Sequence, residues 1–257
     1  MRIFRSIVPA LIFALSISVA KGQQAETTTD TPTLQIESIQ QRANEGDLQS
    51  QLNLAIWYWE QQLKNPESIE KSIYWFEQAA NNGSNDAAYQ MGIIFQQGIG
   101  RKIDQKKALE WFQKAYTYGD TKAAGQIAFY YYWGIDIRQD KEKAMQLSYR
   151  ALDSKDVSTM NNTAWFLSTV PDDVYCDGPK ALSIMQQVIN KAPADAGYFD
   201  TLASAYAACG EFTMAQTYQK VAIELGNVQM PNEKDAFQKR LSLYEQNKRY
   251  KLTDPFE

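Results

Sequence analysis

The stretch "AAYQMGIIFQQGIGRKIDQKKALEWFQKAYTYGD", residues 87–120, decides the fold. Small and large apolar residues recur in it at three- and four-residue steps up to Gly98. The same spacing returns from Ala108 to Tyr118 and stops at Gly119. That period belongs to a helix with one buried face, and a glycine just past the last periodic residue is a helix stop signal. Between the two runs lies the short turn "IGRKID", whose Asp104 stands where a helix N-cap belongs. The stretch therefore reads as two antiparallel helices, A and B, closed on each other as a hairpin.

The hairpin repeats. Trp75 and Trp111 are 36 residues apart and Leu147 lies 36 further on; Ala79, Ala115 and Ala151 keep the step, as do Lys71, Lys107 and Lys143. Gly46, Gly83 and Gly119 punctuate the units. Nine residues after these glycines stand Ala55, Gly92 and Ala128; twelve after them stand Tyr58, Phe95 and Tyr131. Small residues let two helices approach, and an aromatic one turn later is expected in the hairpin core. Asp140 repeats the place of Asp104 and is read, like it, as an N-cap rather than half of a catalytic acid pair.

Upstream, Ile36, Ile39 and Ala43 fit a lone helix before the array. Downstream, residues 156–191 form a divergent hairpin with a longer turn, residues 196–226 a shorter-period hairpin, and Phe237, Leu241 and Tyr244 the stripe of a capping helix. The expected architecture is all-α, about eleven helices and no strand, because no segment alternates with period two.

The 36-residue unit resembles the Sel-1-like repeat, a relative of the tetratricopeptide repeat: small residue, aromatic, Gly-x-Gly turn, Asp, Lys-Ala, Trp-Phe, Lys-Ala, Gly. The first unit departs from it, with Gln61 where Gly98 and Gly134 stand and Glu67 in place of the aspartate. The third has Leu147 for the tryptophan. Residues 196–226 resemble a standard tetratricopeptide unit. The resemblance implies a right-handed α/α superhelical solenoid. It divides the chain into Sel-1-like repeats with an N-terminal half repeat (34–154), divergent and standard tetratricopeptide repeats (155–229), and a capping helix with tail (230–257).

"AFYYYWG", residues 128–134, is the unusual passage. Five consecutive rings sweep the whole helix circumference, so one core-facing stripe cannot take them all. The repeat register assigns Tyr131 to the core with Tyr58 and Phe95. Phe129, Tyr132 and Trp133 share another face, which in the tetratricopeptide pattern lines the concave groove. The equivalent positions elsewhere hold Ile56, Trp59, Tyr89, Ile93, Asn161 and Trp165. These residues either line a ligand-binding groove or fill the space between neighbouring A helices.

Residues 1–20 read as a signal peptide: Arg2 and Arg5, an apolar run from Ile7 to Ile17, then Ser18 and Ala20 at the positions a signal peptidase reads. Residues 21–33, rich in Thr and Gln, read as a disordered spacer. The whole chain carries 26 basic and 30 acidic residues. Loss of Arg2 and Arg5 moves its formal charge from -4 to -6, which disfavours nucleic acid. No further apolar run is long enough to span a membrane. Histidine is absent, so imidazole-dependent triads and histidine metal sites are excluded.

The remaining motifs are weak. "SIEK" at Ser68–Lys71 matches an S-x-x-K pattern, but Lys71 is already a repeat position and no companion motif occurs. "GIG" at 98–100 is a repeat turn, and "NNT" at 161–163 falls inside a helix. Cys176 and Cys209 lie in the turn regions of neighbouring hairpins, and export would favour a bridge between them. The chain reads as an exported, periplasmic or secreted, non-catalytic interaction module without cofactor or metal. Its expected partner is a protein or peptide, with an envelope glycan as the alternative.

Overall fold

Aspartate and glycine punctuate the helices of the computed structural model, which describes residues 32–61, 67–192 and 194–253. Asp104 and Asp140 accept hydrogen bonds from the backbone N–H of Lys107 and Lys143, so both are N-caps. Asp156, Asp177 and Asp195 cap three further helices in the same way. Glu67, at the corresponding place in the first unit, makes no side-chain cap bond. Gly98 and Gly134 end their helices in the left-handed region, φ 71° and 73°, where a Cβ would be strained. After each, the chain is tied back by Asp104 N–H to the Phe95 carbonyl and Asp140 N–H to the Tyr131 carbonyl.

Twelve α-helices and no strand are found among the described residues. They are α1 (Pro32–Asn44), α2 (Leu48–Gln61), α3 (Ser68–Asn81), α4 (Asn85–Gln97), α5 (Gln105–Thr117), α6 (Ala123–Trp133), α7 (Lys141–Ala151), α8 (Val157–Thr169), α9 (Gly178–Lys191), α10 (Ala196–Ala208), α11 (Phe212–Gln229) and α12 (Lys234–Glu245). Residues 1–20 and most of the expected spacer lie outside the described residues. Pro32 and Thr33, assigned to that spacer, belong to α1; proline is favoured in a first helical turn, where its missing N–H costs nothing.

The fold divides into two compact units at Gly119/Asp120. In the first, α1 packs on α2, and α2–α3 and α4–α5 form hairpins in contact through α3 and α4. Ala55, Ala79, Ala87, Ala108 and Ala115 have no exposed surface, which lets the helix backbones close on Ile73, Phe76 and Phe112. In the second, α6–α7, α8–α9 and α10–α11 are hairpins, and α12 covers α11. One of its core clusters joins Leu167, Ile184, Met185, Val188 and Leu202 from α8, α9 and α10. None of the described helices is long and apolar enough to cross a membrane.

The aromatic three residues before the A-helix stop has a role that the register alone does not show. Tyr58, Phe95 and Tyr131 each lie under the repeat lysine of the following B helix: Lys71 Nζ is 5.4 Å, Lys107 5.3 Å and Lys143 4.2 Å from the ring centre. Tyr58 and Tyr131 are only partly buried. The expectation that Tyr131 is a core ring is therefore corrected. It sits at the open end of its hairpin, and its hydroxyl accepts from Lys143 Nζ at 2.7 Å. The serine-lysine pattern at Ser68–Lys71 is accounted for as well, with Ser68 buried and Lys71 engaged by Tyr58.

Candidate functional site

The A helices of the second unit, α6, α8 and α10, carry the unusual side chains. On α6 the buried rings are Tyr130 and Tyr132, 0% and 1% exposed, whereas Phe129, Tyr131 and Trp133 are partly exposed. Tyr132 was expected on the groove face and is a packing residue. Its ring meets Phe166 of α8 edge-on at 5.3 Å and Tyr175 at 6.4 Å, so it fills the gap between neighbouring A helices. Its hydroxyl donates to Asp172 Oδ2 at 2.8 Å, and Lys141 Nζ reaches the same oxygen at 2.7 Å. Burial first, then this carboxylate, push the phenol far above its ordinary range. The lysine and the phenol pull the Asp172 carboxyl below its own.

Phe129 and Trp133 pair on α6 with ring centres 6.3 Å apart, and Trp133 also meets Tyr132 edge-on at 5.1 Å and packs against the cluster of Tyr132, Phe166 and Val170. The Trp133 indole N–H is buried and has no hydrogen-bond partner among the described residues. On α8, Trp165 is partly exposed while Asn161 is only 3% exposed. In the first unit Trp59 and Ile93 are partly exposed and Tyr89 is buried against Phe112, ring centres 5.5 Å apart. Tyr89, Tyr132 and Asn161 are thus corrected to buried positions. Trp59, Ile93, Phe129, Trp133 and Trp165 keep accessible surface.

Two features near Trp165 escaped the sequence reading. Arg240 of α12 is 8% exposed and inserts its guanidinium among Trp165, Phe237 and Tyr250, 5.2, 5.2 and 5.5 Å from the ring centres. Its Nε donates to Asp200 Oδ1 at 2.7 Å, and Gln219 Nε2 donates to the same oxygen at 2.8 Å. The buried stripe of the capping helix is therefore Phe237, Arg240 and Tyr244, with Leu241 only partly buried. An arginine three residues after Phe237 and four before Tyr244 was the available signal.

The second feature is the segment after α12, which returns across the end of α8. Arg249 donates to the carbonyls of Val170 and Pro171 and pairs with Asp173, to which Lys251 also binds. Leu252 is buried, and its N–H donates to the Thr169 carbonyl at 2.7 Å. Tyr250 lies against Trp165, ring centres 5.7 Å apart. The Arg249 guanidinium and the Leu252 N–H thus satisfy carbonyls at and just beyond the helix end. The two cationic neighbours hold the Asp173 carboxyl at about 2, well below 3.8.

Cys176 and Cys209 are free thiols in this structure. The segments that bear them adjoin: a Cβ on Gly178 would lie 2.7 Å from the backbone carbon of Ala208, so glycine is required there. Burial raises both thiol pKa values, and for Cys209 the next cause is the charge of Cys176 itself.

Consecutively packed helical hairpins, with accessible aromatics on A helices, define a repeat protein of the α/α solenoid class. Residues 48–84, 85–120 and 121–156 each match the Sel1 repeat model. The crystal structure of a Sel1 repeat protein from Oxalobacter formigenes superposes with a TM-score of 0.56 at 24% identity, covering 76% of this chain and 80% of that one. The structure of c5321, a protective antigen of uropathogenic Escherichia coli strains with an SLR fold, gives 0.60 at 18% identity. It covers 86% of this chain and 53% of that one, so this chain spans about half of that protein. At these identities the likeness concerns the fold. No curated protein sequence matches the chain.

Proposed function

We propose that the chain is an exported, non-catalytic interaction scaffold whose A-helix face in the second unit, around Phe129, Trp133 and Trp165, receives a segment of a partner protein. Sel1 repeats are generally protein-interaction scaffolds. The observation that carries the reading here is that Phe129 and Trp133 remain accessible on α6 although Tyr130 and Tyr132 of the same helix are fully buried. Tryptophan is enriched among the residues that carry binding energy at interfaces, and Trp133 keeps part of its surface accessible. The leader-like residues 1–20 support a periplasmic or secreted site of action. The adjoining Cys176 and Cys209 support a bridge once the chain reaches an oxidising compartment.

The test is a pull-down from envelope extract with full-length protein and its Trp133→Ala variant, with Tyr132→Ala as the folding control. Trp133→Ala should keep its helical dichroism and lose at least about 2 kcal/mol of partner binding. Tyr132→Ala should lose about 3–5 kcal/mol of stability. Equal destabilisation of the two variants would make Trp133 a packing residue and sink the reading. N-terminal sequencing of the exported protein checks the leader, with Lys21 the expected first residue.

A further inference from the structure

Between α8, α10 and α12 lies a cavity of about 40 Å³. It admits a group of a few heavy atoms. Its polar lining is unusual in what it leaves open. Asn161 is 3% exposed, lines the cavity, and its Oδ1 has no hydrogen-bond partner among the described residues. One helical turn on, the buried indole N–H of Trp165 lines the same cavity and is likewise unpartnered. Across from them, Arg240 spends only its Nε on Asp200; its two terminal nitrogens make no hydrogen bond among the described residues. Glu233, at the start of α12, accepts none either.

We propose that this cavity binds a carboxamide of a partner chain, either the side-chain amide of glutamine or asparagine or a backbone peptide group. The proposal rests on the reading of the A-helix face as an interaction surface and names what that surface recognises beside Trp165. A carboxamide presents a carbonyl oxygen with two lone pairs and one or two N–H donors. The cavity supplies donors to the oxygen, Trp165 Nε1 and the Arg240 terminal nitrogens, and acceptors to the N–H groups, Asn161 Oδ1 and the Glu233 carboxylate.

Charged groups of the same size fit worse. Arg240 is neutralised by Asp200, and Glu233 leaves the cavity lining net negative. A carboxylate would meet Glu233 and the Asn161 oxygen with no proton to offer them. An ammonium would set its donors against the Trp165 N–H and the Arg240 guanidinium. An unmatched polar contact in a buried site costs more than a matched one contributes, so discrimination is the expected signature.

The test needs no knowledge of the partner. Full-length protein with ¹⁵N-labelled tryptophan is titrated with propionamide, propionate, propylammonium and N-methylacetamide. The indole N–H of Trp165, assigned from the Trp165→Phe spectrum, is followed against the exposed Trp57. Propionamide should shift Trp165 saturably with about millimolar affinity, as a ligand of five heavy atoms allows, and leave Trp57 in place. Propionate and propylammonium should shift it less than about one fifth as far at the same concentration.

N-methylacetamide distinguishes the sources: binding as tight as propionamide assigns a backbone peptide group, weaker binding a side-chain amide. Glu233→Gln, at a half-exposed position, and Asn161→Leu should each weaken propionamide about tenfold. Glu233→Gln alone serves if the buried substitution unfolds the protein. No saturable Trp165 shift below about 0.1 M, or equal responses to amide, carboxylate and ammonium, overturns the proposal. Either result leaves the Trp133 pull-down to decide the interaction surface itself.

Discussion

Replacing Arg240 by methionine separates charge from packing in the second unit. The Arg240 and Asp200 side chains are 10% and 7% exposed, with Nε and Oδ1 at 2.7 Å. At an effective dielectric of 20 that attraction is about 6 kcal/mol, most of it offset by the cost of burying both ions. The net worth of the pair is therefore small, but the cost of breaking it is not. Arg240→Met leaves a buried carboxylate whose remaining donor is Gln219 Nε2 at 2.8 Å.

Unpairing a buried charge typically costs about 3–5 kcal/mol, and the glutamine bond places this case near 3. Methionine keeps most of the apolar contact with Trp165, Phe237 and Tyr250. The double variant Arg240→Met/Asp200→Asn removes the orphaned charge, keeps an acceptor for Gln219, and should recover about 2 kcal/mol of the loss. The unfolding midpoint in urea, followed by exchange protection in α10 and α12, reads the unit directly, since repeat proteins need not unfold as one. A single variant within about 1 kcal/mol of the wild type, or a double variant no better than the single, would refute the charge account.

Three further outcomes are expected. Tyr132→Phe removes the bond to Asp172 but leaves Lys141 on the carboxylate, and should cost about 1.5 kcal/mol by urea titration; no loss would show that ring packing alone holds Tyr132. Exported protein should show no thiol reactive under denaturing, non-reducing conditions, and reduction should destabilise it by up to about 3–4 kcal/mol; two reactive thiols would show that Cys176 and Cys209 stay unbridged. The contact of Asp173 with Arg249 and Lys251 lowers its folded pKa from 3.8 to about 2. Its contribution is thus complete above the unfolded value and lost as pH falls toward the folded one. The Leu252 amide signal should move over that window; constancy between about pH 4 and pH 2 would count against this contact as what holds the segment.

The fold was legible because one angular period and one 36-residue step run through the same residues, and caps such as Asp104 and Asp140 stand at fixed places in it. Part of the site was not legible, for a geometric reason. Helical spacing gives the direction of a side chain on its own helix, but not which flank the next repeat covers. Tyr131 and Tyr132 were consequently assigned the wrong way round: the stacking of α8 on α6 buries Tyr132, and the lysine of α7 holds Tyr131 at the hairpin end. Arg240 was missed because a charged residue inside an apolar stripe reads as a break in it, unless its partner on another helix, Asp200, is known. The segment 249–252 has no periodicity to read, since it is fixed by carbonyls at the end of α8 rather than by its own pattern.

That segment also sets a timetable. Arg249 closes the end of a helix 79 residues upstream. At about 5–20 residues per second, a ribosome that has finished α8 needs roughly 4–16 s to deliver Arg249. For that interval the newborn second unit has α8 ending in carbonyls that its closing arginine has not yet reached. A message truncated just before codon 249 would thus yield a chain with its repeats present and the end of α8 left open, a form for chaperones and proteases to sort.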